Sequence, residues 1–300
     1  MQKRARRQWL RKILAISLVL VLLFIIACFI FDHYYQFRRD DQDLKKFYSA
    51  NHINATIGYY QTQGRKLRYV SAGDENAKGT LVFLHGSPGS MSFYSRRFAD
   101  KDILNKFRIF AVDRPGYGYS GFGHPEPSIQ KQAEMVRVLI DSVYHAKHPI
   151  IVVGSSYGAA IAGRLAMDYP NLVDGLVLTG PAIGPGLEKY FWFTYVIESP
   201  AVRWVIPRMF RSANTEKVNH KKELEKMLPY WKNIQVPVAY LQGENDEIVD
   251  TANADFARKH LINAPYLDIQ FVKGRGHRLA QFEWPRFKEA IWKVYEKVSH

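Results

Sequence analysis

Gly154-Ser155-Ser156-Tyr157-Gly158 is the segment of this chain best equipped for chemistry, because it reads G-x-S-x-G between two stretches of different texture. Before it runs the β-branched Ile150-Ile151-Val152-Val153, and after it the helical stretch Ala159 to Met167. With 15 serines and 20 glycines in 300 positions, chance supplies about 0.07 such matches before strand and helix are required. A sharp strand-to-helix turn holds the central serine in a strained conformation, and side chains two residues either way would collide. Ser156 is therefore expected at the C-terminal edge of a sheet, at a helix N-terminus whose dipole favours a nearby oxyanion. A serine hydroxyl is a poor nucleophile at neutral pH, so it needs a base to take its proton and an acid to orient that base. A plain glycine-rich turn is the alternative reading of the same five residues.

Such a turn needs a parallel sheet behind it. Thr80–Leu84, Arg108–Val112, Ile150–Val153 and Gly175–Leu178 are near-continuous apolar runs separated by stretches of helical period. One of these, Ile129 to His145, carries Met135, Val136, Leu139, Ile140 and Val143 on one face. Strands buried on both faces and alternating with helices imply an α/β domain: a mostly parallel central sheet with helices on both faces. Ile57–Tyr60 and Leu67–Val70 suit an opening antiparallel pair. The alternation pauses at Ala182 and resumes at Val236–Leu241, followed by a helix near Thr251–Leu261, a strand at Leu267–Val272 and a helix over Leu279–Val298. Residues 57–182 and 236–300 are thus assigned to the core. Residues 183–235 read as an insertion of two or three helices, rich in aromatics and broken by Pro200, Pro207 and Pro229.

At this point the chain resembles the α/β-hydrolase family, in its serine-nucleophile branch, from about Ile57 to His300. His85-Gly86-Ser87-Pro88-Gly89 looks like that family's HG-x-P oxyanion loop and is close to the HGGPG of proline iminopeptidases. Asp113-Arg114-Pro115-Gly116-Tyr117-Gly118-Tyr119-Ser120 looks like its D-R-x-G-x-G-x-S turn. Ser155 departs from the pattern, since the family most often has His there, and this bears on how the turn is supported. The dehalogenase and epoxide hydrolase branches use a carboxylate where this chain has Ser156. The resemblance implies the chain order Ser, Asp, His. Gly243-Glu244-Asn245-Asp246 resembles the family's G-x-x-D turn, which makes Asp246 the implied acid, with Glu244, Glu247 and Asp250 as competing neighbours. Thr179-Gly180-Pro181-Ala182, the other loop where this fold holds an acid, has no carboxylate.

His277 follows the last strand in a flexible turn and is the implied base. Of its rivals, His33, His52 and His300 fall outside the core pattern, His145 and His148 flank a helix end, His220 lies in the insertion and His260 ends a helix. The resemblance gives His85 a structural role. It also implies an oxyanion hole made by the backbone N–H groups of Tyr157 and Ser87. Asp113, opening a glycine-rich turn, is read as capping backbone groups rather than as a second acid.

The N-terminal residues belong to a different solvent. Ile13 to Phe31 is 19 residues without a charge, enough for a helix of ~28 Å that spans a bilayer core. The net charge of +14 suggests nucleic acid, but six of the basic residues lie within the first twelve positions and no nucleic-acid module is recognisable. The reading is a basic segment at 1–12, a transmembrane anchor at 13–31 and, at 32–56, a juxtamembrane helix or spacer outside the core that supplies only reach. The positive-inside rule puts the N-terminus in the cytoplasm and the folded part across the membrane. Ile25-Ile26-Ala27-Cys28 also resembles a bacterial lipobox, which would make the chain a lipoprotein anchored at Cys28, although Phe29-Ile30-Phe31 continues the apolar run. A single cysteine excludes a disulfide scaffold, and with no Cys/His cluster at metal spacing neither a metal nor a cofactor is expected.

Together these readings predict a membrane-anchored serine hydrolase acting on a small-molecule ester or thioester. Peptidase or acyltransferase chemistry on the same residues is adjacent, and a non-catalytic membrane-tethered module is the reading of another class. The anchor carries no motif of the site, so the catalytic domain is expected to work without residues 1–31. The insertion should cap the catalytic edge, with Arg203, Arg208 and Arg211 among its apolar residues. Its aromatic run Tyr190 to Ile197 either packs the cap onto the core or lines an apolar channel for acyl chains, Trp192 then setting the chain-length preference.

Overall fold

The apolar runs become eight strands in the computed structural model, which describes residues 2–144 and 148–299; His145 and His300 lie outside the described residues. The strands are β1 Ala55–Thr62, β2 Arg65–Ala72, β3 Gly79–Leu84, β4 Phe107–Val112, β5 Ile150–Ser155, β6 Gly175–Thr179, β7 Val238–Gly243 and β8 Leu267–Val272. They form one sheet in the order β1-β2-β4-β3-β5-β6-β7-β8. β1 and β2 pair antiparallel, β2 meets β4 antiparallel, and every neighbouring pair from β4 to β8 is parallel. β3, β6 and β7 are buried at every position, as unbroken apolar runs require when both faces are covered.

The longer helices are α1 Gln2–Tyr34, α2 Asp41–Ala50, α3 Ile129–Val143, α4 Tyr157–Asp168, α5 Arg208–Met227, α6 Asn253–His260 and α7 Trp284–Val298. α3, α4, α6 and the end of α5 share one hydrophobic cluster with the sheet, whereas α2 and α7 share the other. α3 shows why: Ile129, Ala133, Val136, Ile140 and Val143 recur at helical spacing and are buried together. The chain thus has the architecture that the resemblance to α/β-hydrolases implies, with helices on both faces of a mostly parallel sheet.

Residues 32–56 hold the expected helix but do more than reach, because that helix packs into the core, which corrects the reading of the segment as lying outside it. Asp40 caps α2 by accepting the Asp43 N–H at 2.8 Å, and the helix drives Leu44 and Tyr48 into the core. Buried Arg68 donates to the Arg39 carbonyl at 3.0 Å, and Ser90 donates to the Phe37 carbonyl at 2.7 Å. The segment is polar overall, so its few packing residues, four apart on one helix face, were outweighed by their charged neighbours.

Between β6 and β7 lie helical turns at Phe193–Glu198 and Pro200–Arg203, then α5 and a 3-10 turn at Leu228–Asn233. α1 is a 33-residue helix, about 50 Å long, and Arg6–Tyr34 within it is long and apolar enough to cross a membrane. Its end docks on the insertion. The Asp32 carboxylate accepts the Arg208 backbone N–H at 2.6 Å and its Nε at 2.8 Å, Phe31 stacks on Phe210 with centroids 5.7 Å apart, and Phe29 meets Trp204 at 6.2 Å.

Candidate active site

Strand register sets the site, because the C-terminal ends of β3, β5, β6 and β7 lie level. Leu84 pairs with Gly154, Ser155 with Thr179, and Thr179 with Leu241. Ser156 occupies the turn from β5 into α4 at φ +53°, ψ −120°, a region that costs a non-glycine residue roughly 1–3 kcal/mol and persists only where its surroundings enforce it. The surroundings are backbone on both sides. A Cβ on Gly154 would stand 2.6 Å from Ala159 Cα, and one on Gly158 would stand 2.4 Å from the Leu84 carbonyl oxygen, so neither position admits a side chain. Ser155 supports the turn from within: its Oγ accepts from the Tyr94 hydroxyl at 2.9 Å and bonds Thr179 Oγ1 at 2.7 Å, tying β5 to β6.

Asp246 and His277, from the loops after β7 and β8, meet at 2.8 Å, with imidazole Nδ1 donating to Asp246 Oδ2. This hydrogen bond selects the tautomer whose Nε2 can take a proton. Asp246 also accepts from Gln242 Nε2 at 2.8 Å, from Ile248 N–H at 3.0 Å and from Val249 N–H at 2.8 Å, so its buried carboxylate is fully engaged. The neighbouring acids are spent elsewhere: Glu244 accepts the Gly274 N–H and Asp250 the Ala252 N–H. Ser156 and His277 flank one short step of the loop after β6. The Ser156 N–H donates to the Thr179 carbonyl at 2.9 Å, and a Cβ on Gly180 would stand 3.1 Å from the His277 ring. No hydrogen bond joins Ser156 Oγ to His277 among the described residues, an arrangement common where the reacting partner completes the geometry.

Two further residues take local structural parts. Asp113 accepts the Met91 N–H at 2.8 Å and the Tyr119 N–H at 3.0 Å, shaping the turn it opens. His85 Nε2 accepts the Arg114 N–H at 3.0 Å while Nδ1 donates to the Gly86 carbonyl at 2.7 Å. Burial, with Arg114 beside it, holds His85 well below the usual imidazole range, so it is a neutral strut of the loop bearing Ser87.

That loop is coupled to the insertion through charges the motifs do not reveal. Buried Arg114 donates to Glu216 of α5 from both terminal nitrogens, at 2.6 and 3.1 Å, and to Gln132 of α3 at 2.8 Å. Burial pulls the Arg114 guanidinium down and the Glu216 carboxylate more than offsets it, leaving it above its ordinary range. The Tyr117 hydroxyl donates to Glu216 at 2.6 Å and accepts from Ser87 Oγ at 2.7 Å. The signal for Glu216 was its position: with Met209, Ser212, His220 and Glu223 it marks the buried face of α5, where an acid needs a partner.

His220, one turn further along α5, stacks on the Tyr157 ring at a centroid distance of 4.7 Å. Burial and then Arg114 and Lys217 lower its pKa to about 3, so its 3.5 Å approach to Glu188 is not an ion pair.

Ser156, Tyr157 and Ser87 open onto a cavity of about 680 Å³, within the usual range for ligand sites. Phe24, Ala27, Cys28 and Phe31 of α1 border it as well. One expectation is corrected here. Trp192 is 84% exposed and lies outside the wall, whereas its neighbours Phe191 and Phe193 line it, because the turn before the Phe193–Glu198 helix rotates the indole outward. His277 instead borders a second cavity of about 260 Å³ with Glu247, Arg275 and Leu279.

Residues 79–199 match the family described as alpha/beta hydrolase fold. The 1-acylglycerol-3-phosphate O-acyltransferase of Arabidopsis thaliana is 28% identical over 134 residues, 42% of this chain and 31% of the plant protein, so the match spans about a third of that relative. Epoxide hydrolase 4 of Homo sapiens is 22% identical over 279 residues, 76% of this chain and 75% of that one. A solved bacterial membrane phospholipase A is similar in fold with a TM-score of 0.58 at 16% identity, covering 94% of this chain and 99% of that one.

Proposed function

Because residues 79–199 match the alpha/beta hydrolase fold family and the sheet has that fold, we propose that the chain is a membrane-anchored serine hydrolase cleaving a carboxylic ester or thioester through an acyl-enzyme on Ser156, Asp246 and His277. One observation carries the reading: a serine at positive φ on the strand-to-helix turn shares its sheet edge with an imidazole whose Nδ1 is bound to a buried carboxylate. A serine also separates this site from the carboxylate-nucleophile branches, despite the likeness to an epoxide hydrolase.

In this mechanism His277 Nε2 takes the Ser156 proton as Oγ attacks the acyl carbonyl carbon. The backbone N–H groups of Tyr157 and Ser87, with the N-terminus of α4 behind them, receive the oxyanion. Collapse breaks the bond to the alcohol or thiol, which leaves with the proton from His277. Water then repeats the sequence on the acyl-enzyme, releasing the carboxylic acid and restoring the serine hydroxyl. Asp246 holds the tautomer and stabilises the imidazolium.

The basic residues in the first turns of α1, ahead of its uncharged run, support an N-terminus in the cytoplasm and a catalytic domain on the extracytoplasmic side. The likeness to the plant acyltransferase favours a second outcome for the same acyl-enzyme, in which an alcohol rather than water accepts the acyl group. An acylated acceptor formed at the expense of free acid would identify it.

A fluorophosphonate probe applied to the full chain should label the wild type and leave Ser156→Ala unlabelled. Asp246→Asn should lower turnover by about 10⁴, the effect of a wrong tautomer. Labelling that survives Ser156→Ala would overturn the assignment, and a near-normal Asp246→Asn would move the acid elsewhere.

A further inference from the structure

We infer that α1 is a wall of the substrate site and that the substrate is a long-chain acyl ester that stays in the bilayer while its carbonyl reaches Ser156. The inference deepens the serine-hydrolase reading and rests on it. Phe24, Ala27, Cys28 and Phe31 are spaced three, one and three residues apart, which puts them on one face of α1, and that face borders the cavity that Ser156 borders. All four lie inside the uncharged run Ile13–Phe31, and Asp32 closes it, held by Arg208. From Phe31 to Phe24 the wall therefore descends about 10 Å into the hydrocarbon layer.

The wall faces open space rather than packed protein, since Phe24 remains 60% exposed although it borders the cavity. An apolar hollow at that depth is a poor place for water and a good one for an acyl chain. The insertion adds Phe191, Phe193 and Phe210 to the same lining, Phe210 stacked on Phe31. Trp192 and Tyr195, 84% and 68% exposed, stand on the same turn, the residue types that sit at a membrane–water interface. A lipid ester would enter sideways with its chain between α1 and the cap, give up its alcohol toward water, and return its carboxylic acid to the bilayer. Each additional methylene held by the wall raises efficiency about fourfold, the equivalent of ~0.8 kcal/mol.

The test uses the full chain in vesicles of a non-hydrolysable ether lipid, doped in one arm with a dioleoyl phospholipid and in another with dioleoylglycerol. Oleate release is compared with hydrolysis of a water-soluble butyrate ester, and a fluorophosphonate labels Ser156 in every sample. The wild type should release oleate in at least one arm, and the arms identify the headgroup. Ala27→Trp, which fills the wall, should lower the oleate-to-butyrate ratio at least tenfold, and Phe24→Ala, which removes a wall contact without bulk, should lower it severalfold. Leu22→Trp, roughly 120–180° round the helix from the wall, should leave it unchanged. Labelled wild type that releases no oleate, or a ratio indifferent to both wall variants, overturns the inference. Unlabelled wild type would overturn the serine-hydrolase reading instead.

Discussion

His220 places an imidazole where burial disfavours its charged form, and the consequence is a pH dependence of stability. Its folded pKa is lowered to about 3, against about 6.5 in an unfolded chain, so between those values the unfolded state binds more protons. The stability is complete above pH 6.5 and falls as pH drops toward 3, by about 2 kcal/mol at pH 5 for this residue alone. His85, also depressed, acts in the same direction. Thermal unfolding between pH 7.5 and 5 should therefore show a falling midpoint, and His220→Gln should flatten that fall. An unchanged slope would assign the acid sensitivity to other groups.

At the scale of elements, the insertion is joined to the loop bearing Ser87 by charge as well as by apolar packing. Glu216 of α5 is the counter-charge of Arg114 and, through Tyr117, the anchor of Ser87. Glu216→Gln leaves a buried guanidinium without its carboxylate, which typically costs about 3–5 kcal/mol. The unfolding midpoint should fall by roughly 6–12 °C at the lower figure, read by calorimetry. A shift below 2 °C would mean that water reaches Arg114 and relieves it. The motifs made the two loops legible in the sequence and left this joint unread, because its partners stand 102 residues apart and belong to different elements.

For the whole molecule, the anchor proposed for α1 has a measurable consequence. A lipobox cleavage before Cys28 would remove Phe24 and Ala27 and leave the cavity open along that side. The chain should therefore persist at its full mass of 34.7 kDa, resist alkaline extraction from membranes, and do both equally well as Cys28→Ser. Intact-mass measurement decides the matter: a shorter, lipid-modified species lost in Cys28→Ser would replace the helical anchor with a lipoprotein.

What the sequence determines by itself is what a few adjacent residues encode. Apolar runs without alternation specify buried parallel strands, two glycines flanking Ser156 specify a turn with no room for side chains, and 19 uncharged residues specify a helix long and apolar enough to cross a bilayer. Tertiary structure decided what depends on residues far apart in the chain. Among the acids after β7, only Asp246 has the amides of Ile248 and Val249, the Gln242 side chain and His277 converging on one carboxylate. Leu44 and Tyr48 became core because a sheet lay beneath a helix whose composition is polar. α1 came to border the cavity because Arg208, Phe210 and Trp204, about 176 residues further on, fold back to hold its end. Periodicity is written in neighbouring residues, whereas the partner of a buried charge or an exposed face is chosen only when the chain has closed on itself.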